Sequence, residues 1–203
     1  MHKDGKVKYF WAWFSSMSAS LAADIGNPSL LEELDARVRE LDSMLSWEVG
    51  PGSSEPWQLV ISPNLNRDLR QRSQEIISCA PVLEGWEFYS ARRPKDWDYK
   101  FVMERSDGRE SIELDASAWF FVLLQYPDGV REVLLQGNNL PALDDDERWQ
   151  AAAVTLEGIL GEELILENID EFELMDRFEP RFVVQQRPIQ GLREAIVGAT
   201  GSA

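Results

Sequence analysis

Histidine and cysteine are almost missing from this chain of 203 residues, and basic side chains are scarce: one histidine, one cysteine, and 20 Lys and Arg against 36 Asp and Glu. His2 stands at the start of the chain, so a Ser-His-Asp triad, a Cys-His pair, a histidine general base and a histidine metal cluster are set aside. One cysteine cannot close an internal disulfide, which suits a reducing cytoplasm. Cys79 falls between a helix end and a proline, far from the helix N-terminus or cation that would activate a thiolate, and reads as a small buried hydrophobe. The formal charge of −16 opposes a nucleic-acid backbone or an anionic membrane; a basic protein is the expected partner. No apolar run approaches the ~20 residues of a membrane span. The opening segment carries lysines and then aromatics, but Ser15, Ser16, Ser18 and Ser20 interrupt it, so it reads as an amphipathic helix and not as a secretory signal. The phosphate-cradling GxxxxGKS/T and GxGxxG patterns and the GxSxG nucleophile elbow do not occur. No catalytic residue, cofactor or metal ligand is expected.

What the chain does have is apolar mass: hydrophobic residues make up 44%, with eight Trp and nine Phe, enough for a sizeable core. Phe10, Trp13, Phe14, Met17 and Leu21 fall at helical spacing. After Asn27, a good N-cap, Pro28 opens a second helix with Leu31, Leu34, Val38, Leu41 and Leu45 on one stripe. Residues 1–48 are thus expected to form a helical hairpin packed on the main domain, with a loop and boundary in Val49 to Pro56. Residues 57–198 read as an α+β domain. The strand "WQLVIS" leads to a helix ending before Pro81; "WEFYSA", "KFVME", "ESIELDA", "WFFVLLQY" and "VREVLLQG" then suggest an antiparallel meander with turns at Ser106-Asp107-Gly108 and Pro127-Asp128-Gly129. The unbroken run Trp119 to Leu124 marks a central strand covered on both faces. A helix with Trp149, Ala152, Ala153, Leu156 and Leu160 on its inner face follows, then a strand in "EELILENI", another in "RFVVQQ", and a short helix in "IQGLREAIV". Residues 199–203 are expected to be a flexible tail. The fold class is α+β: one mainly antiparallel sheet covered by helices.

Charge is distributed unevenly. Asp144 to Glu179 holds thirteen acids and two bases, Arg148 and Arg177, a net of −11. The contiguous run Asp144 to Glu147 lacks the alternate spacing of a calcium loop and reads as a helix cap. The remainder suits either a solvated amphipathic face or a landing surface for a basic partner, with Asp144, Asp145, Glu162, Glu163, Glu167, Asp170, Glu171 and Glu173 as the partner-binding candidates. A second candidate is the loop after "WEFYSA", where Arg92, Arg93, Lys95 and Trp97 form a rim suited to an anion, or else pair with nearby acids.

The turn formed by Ala80, Pro81, Leu83, Gly85 and Trp86 resembles that of small bacterial α+β domains of unassigned function, in which a strand and helix end in an A-P-x-L-x-G-W turn before an aromatic strand. This likeness spans half to two thirds of the chain and brings no catalytic residue with it. In size, charge and class the chain is also similar to bacterial immunity proteins, which are acidic, cytoplasmic and neutralise a basic toxin. That similarity implies a non-catalytic protein whose surface lies in Asp144 to Glu179. The alternative is a carboxylate-using hydrolase, or a small-molecule anion-binding protein with the Arg92/Arg93 loop at its site.

Overall fold

The computed structural model describes residues 3–106, 108, 110–138 and 140–200; His2 and residues 201–203 of the expected tail lie outside these. The chain forms two compact units, Met1–Arg92 and Arg93–Ala203. Seven α-helices and nine strands are present among the described residues, giving an α+β architecture.

In the first unit, helices α1 (Lys3–Ala23) and α2 (Pro28–Leu41) make the expected hairpin. The Asn27 side chain caps α2 by accepting from the Leu30 amide at 3.3 Å, with Pro28 in the first turn. Val7, Phe10, Trp11, Phe14 and Leu21 of α1 and Leu34, Val38 and Leu41 of α2 are buried. Trp11 takes the inner place expected of Trp13, because its indole N–H can donate 2.9 Å to the Ile76 carbonyl, satisfying a buried polar group. Strands β1 (Ser46–Pro51), β2 (Trp57–Ser62) and β3 (Trp86–Tyr89) complete the unit with helix α3 (Arg67–Ser78). β1 pairs antiparallel with β2, so part of the expected Val49 to Pro56 loop is strand. Pro51 is tolerated there because β1 is an edge. The chain divides after Arg92 and not at this loop: the helices share one core with Leu59 and Ile61 of β2, Ile76 and Trp86.

β3 pairs parallel with β2, a strand-helix-strand unit with α3 as the crossover. α3 ends at Ser78, Gly85 turns the chain at φ +78°, and Trp86 enters the core at 6% exposure. Cys79, expected to be buried, is exposed at the end of α3. Its inward neighbour Ile76 occupies the core-facing position, and the side chain three residues on falls past the last helical turn.

In the second unit, β4 (Lys100–Glu104) and β5 (Ser111–Asp115) form an antiparallel pair by themselves; Asp107 of the turn between them is not among the described residues. β6 (Phe120–Gln125), β7 (Arg131–Gln136), β8 (Glu171–Met175) and β9 (Arg187–Pro188) form a second sheet in the order β8-β7-β6-β9. β6 is central as expected, with Phe121 and Val122 buried on opposite faces. The expected single meander is therefore three separate sheets, and two of them contain a parallel pair, β2 with β3 and β7 with β8. Hairpin turns specify only local pairings; the two parallel pairs arise from crossovers the meander reading did not include.

Helices α4 (Asp145–Leu160), α5 (Glu162–Asn168), α6 (Pro180–Val183) and α7 (Leu192–Thr200) accompany the second sheet. α5 occupies the stretch expected to be a strand. Its buried residues are Glu162, Ile165, Leu166 and Asn168, and Glu162, Ile165 and Leu166 with the buried C-cap Ile169 recur at i, i+3, i+4 and i+7, the period of a helix face. α6 likewise replaces the expected strand in Arg181 to Gln186, with Pro180 pre-set for its first turn. Ala199 and Thr200 of the expected tail continue α7.

Candidate functional site

The acidic segment begins with a helix cap. The Asp144 carboxylate accepts from the Glu147 amide at 2.8 Å, and the Glu147 carboxylate accepts from the Asp144 amide at 3.1 Å. The amide hydrogen bond from Glu147, foremost, holds the Asp144 carboxyl below its usual range. Glu147, 3% exposed, also takes an ion pair from Arg105 at 3.1 Å and a hydrogen bond from the Ser106 amide at 3.1 Å. Asp144 is thus exposed but occupied structurally, while Asp145 and Asp146 on the next positions face solvent.

Further on, the helical period of α5 corrects one site assignment. Glu162, expected on the landing surface, is fully buried, and Glu163 is half-buried. Glu167, Asp170, Glu171 and Glu173 are exposed, as are Asp176 and Glu179. Most of these belong to or flank β8, which is an edge strand of its sheet.

The register shows what surrounds them. Glu132 of β7 lies opposite Glu171, and Leu134 opposite Glu173. Strand alternation places Glu171 and Glu173 on the same face as Glu132, Phe120, Val122 and Leu124. On that face Val122, Leu134 and Phe178 are buried and Phe182 of α6 packs over them. Tyr126, just past the end of β6, donates from its hydroxyl to the Glu132 carboxylate at 2.6 Å and remains 44% exposed. That hydrogen bond raises the phenol's pKa, reinforced by the charges of Glu132 and Glu171. Val183 and Val184 stand exposed beside Phe182, and Arg181 lies 4.5 Å above the Phe182 ring while pairing with Glu179 at 2.8 Å.

The opposite side of β8 carries a second aromatic. Phe172 packs against Trp149 with ring centroids 5.7 Å apart. Trp149 was expected in the core, yet it is 52% exposed. α4 lies along the edge strand, so its indole covers Phe172 and has no further strand beyond it. Arg148, one residue earlier, pairs with Asp176 at 3.0 Å. β8 therefore carries Glu171 and Glu173 on one face of its sheet, the face of Glu132 and Tyr126, and Phe172 beneath the exposed Trp149 on the other. Tyr126, Glu132, Val183 and Val184 were not among the sequence candidates; Tyr126 and Glu132 flank a hairpin turn far along the chain from the acidic run, and only register joins them.

The boundary between the two units falls within the Arg92/Arg93 rim. Arg92 belongs to the first unit, donating 2.7 Å to the Ser46 hydroxyl and lying 3.9 Å from the Glu48 carboxylate. Arg93 and Lys95 are exposed in the second unit and engaged in interactions of their own. Trp97 packs over Gly158 of α4 and lies 5.7 Å from the Tyr99 ring. Among the described residues, no group of three or more His, Cys, Asp and Glu is placed to hold a metal ion, and no helix is long and apolar enough to cross a membrane. No family model matches the chain, and no curated protein or solved structure matches it.

Proposed function

We propose that this chain is a non-catalytic, cytoplasmic binding protein of the immunity type, whose second unit presents the β8 edge to a basic protein toxin. The observation that supports it is the exposure of Asp170, Glu171 and Glu173 along the edge strand β8, with Glu132 and the exposed Tyr126 on the face of Glu171 and Glu173 and the exposed Trp149 on the opposite face. Exposed carboxylates steer a cationic partner at long range, and aromatic side chains supply contact area at low entropic cost once the surfaces meet. Acidic side chains also keep an edge strand from pairing with another copy of itself. The same edge thereby repels its own kind and attracts the opposite charge.

The test is capture of a partner by the tagged protein, washed at low and then at high salt, followed by association kinetics. One basic protein, released by salt and inhibited when bound, is the expected result. Asp170→Asn, Glu171→Gln and Glu173→Gln together should slow its association several-fold at low salt and little at high salt. Kinetics unchanged by the triple substitution would remove this edge from the interface.

A further inference from the structure

Helix α6 crosses the face of the second sheet that carries Glu132, Glu171 and Glu173. Phe182 packs inward on the cluster of Val122, Leu134 and Phe178, and its neighbours Val183 and Val184 are left outside. Val184 is 87% exposed, and Val183 and Tyr126 are each 44% exposed. The Arg181 guanidinium, one residue before Phe182, acts on the Tyr126 phenol together with Glu132 and Glu171, so α6 and the end of the β6 hairpin belong to one surface. Exposed apolar side chains scattered singly are ordinary, but a group of them rimmed by polar residues marks an interaction site.

The charge around this patch is unbalanced. Arg181 is already paired with Glu179 at 2.8 Å, and Arg177 lies beyond the opposite end of β8. Glu171 and Glu173 make no ion pair among the described residues, and Glu132 accepts from the neutral Tyr126 hydroxyl at 2.6 Å. Glu132, Glu171 and Glu173 thus flank the exposed apolar side chains without a counter-cation among the described residues. An uncharged apolar segment seated there would desolvate these carboxylates with nothing in return. An anionic lipid surface, or a second copy bringing the same carboxylates, would be repelled.

We infer that this patch receives a cationic amphipathic segment of a protein, whose apolar side chains cover Tyr126, Val183 and Val184 and whose lysines or arginines meet Glu132, Glu171 and Glu173. The inference rests on the reading of the β8 edge as the surface for a basic partner, and adds which face of the sheet is covered and what the partner presents to it. Exposed ion pairs contribute little affinity in water and set charge preference and approach. Burial of the valines and the phenol ring supplies the affinity.

The test uses fluorescence anisotropy of a labelled peptide of leucine and lysine at helical spacing, titrated with the whole protein. Two counterparts accompany it, one with serine in place of leucine and the same charge, the other with glutamate in place of lysine and the same apolar stripe. Saturable binding of the leucine–lysine peptide is expected, with the serine–lysine peptide at least about tenfold weaker and the leucine–glutamate peptide not bound. Val183→Ser with Val184→Ser should weaken the leucine–lysine peptide by about tenfold at low and high salt alike, because the lost burial is apolar. Glu171→Gln with Glu173→Gln should weaken it several-fold at low salt and little at high salt. Val102→Ser, at an exposed valine of β4, serves as the unchanged control. Circular dichroism of each variant confirms folding. No saturable binding by the wild-type protein, equal affinity for the leucine–lysine and serine–lysine peptides, or a valine variant that binds as wild type overturns the inference, and leaves the carboxylates as a landing surface for a basic protein. Valine-dependent peptide binding by a chain that captures no basic protein supports the inference and removes the toxin reading instead.

Discussion

Gly158→Ala sets two effects of opposite sign against each other. Gly158 sits inside α4, where replacing glycine with alanine ordinarily stabilises a helix by about 1 kcal/mol. Here a β-carbon would stand 2.6 Å from Trp97 Cε2 and 2.9 Å from Cη2, closer than real side chains allow. Trp97 is a rigid ring also held near Tyr99 and Phe101, so it cannot yield as the end of a flexible chain would. Overpacking of this kind costs about 1–3 kcal/mol, with the upper part of the range applying to rigid neighbours. The clash should win, for a net loss of up to about 2 kcal/mol. At this unit size that lowers the midpoint of thermal unfolding by several degrees. Urea and thermal unfolding followed by circular dichroism measure it, and the Trp97→Ala background supplies the control. With the indole removed, the same Gly158→Ala change should stabilise by about 0.5–1 kcal/mol. Stabilisation by Gly158→Ala in the wild-type background would refute the packing assigned to Trp97 and reopen that ring as a ligand-binding group.

The remaining predictions concern individual side chains. The half-buried Glu87 pays a desolvation penalty that alone would raise its pKa, but hydrogen bonds from the Ser53 and Ser54 amides, the Tyr89 hydroxyl and the Ser53 hydroxyl outweigh it and hold the carboxyl below its usual range. A depressed carboxyl contributes stability that is present above the unfolded-state pKa and lost as pH falls through the folded-state value. Glu87→Gln should therefore lower the urea midpoint at neutral pH, with the gap to wild type closing as the pH falls through the range where the carboxyl takes up its proton; a gap constant with pH would contradict the assignment. Trp149→Ala should cost less than about 1.5 kcal/mol, the worth of its contact with Phe172, whereas Leu156→Ala in the same helix should cost about 2–5 kcal/mol; equal losses in chemical denaturation would return Trp149 to the core. Cys79 should react with a thiol-specific chromogenic reagent in the native protein at a rate independent of added stabilising osmolyte. Reaction only upon unfolding would show it buried.

Local features of this fold were legible wherever the cause is local. Asn27-Pro28 capped a helix, Pro81 and Gly85 ended one element and turned the chain, and Pro127-Asp128-Gly129 joined two strands, because each acts through its own backbone. The cap formed by Asp144 and Glu147 was readable for the same reason. What depends on distant partners was not. The period of Glu162, Ile165, Leu166 and Ile169 was masked by a short apolar run that also suits a strand. β8 joins its sheet in parallel, beside a strand that ends thirty-five residues earlier, and nothing in "EFELM" specifies that neighbour.

The candidate sites divide along the same line. Acidic composition marked a segment in which Asp170, Glu171 and Glu173 are exposed on one edge, but charge alone could not separate them from Glu162, whose side chain is buried. Trp149 matched the inner stripe of α4 by spacing and yet faces outward, because the sheet ends at β8 beneath it. Arg92 and Trp97 lie five residues apart in sequence but serve different units.

The most direct test of the central claim is the association rate of the captured basic protein with the wild-type chain and with the Asp170→Asn, Glu171→Gln, Glu173→Gln variant, at low and at high salt. A several-fold slower rate for the variant at low salt, converging with wild type at high salt, is the outcome the acidic β8 edge requires. Equal rates at both salt concentrations, or the absence of any basic protein among those captured, would contradict it.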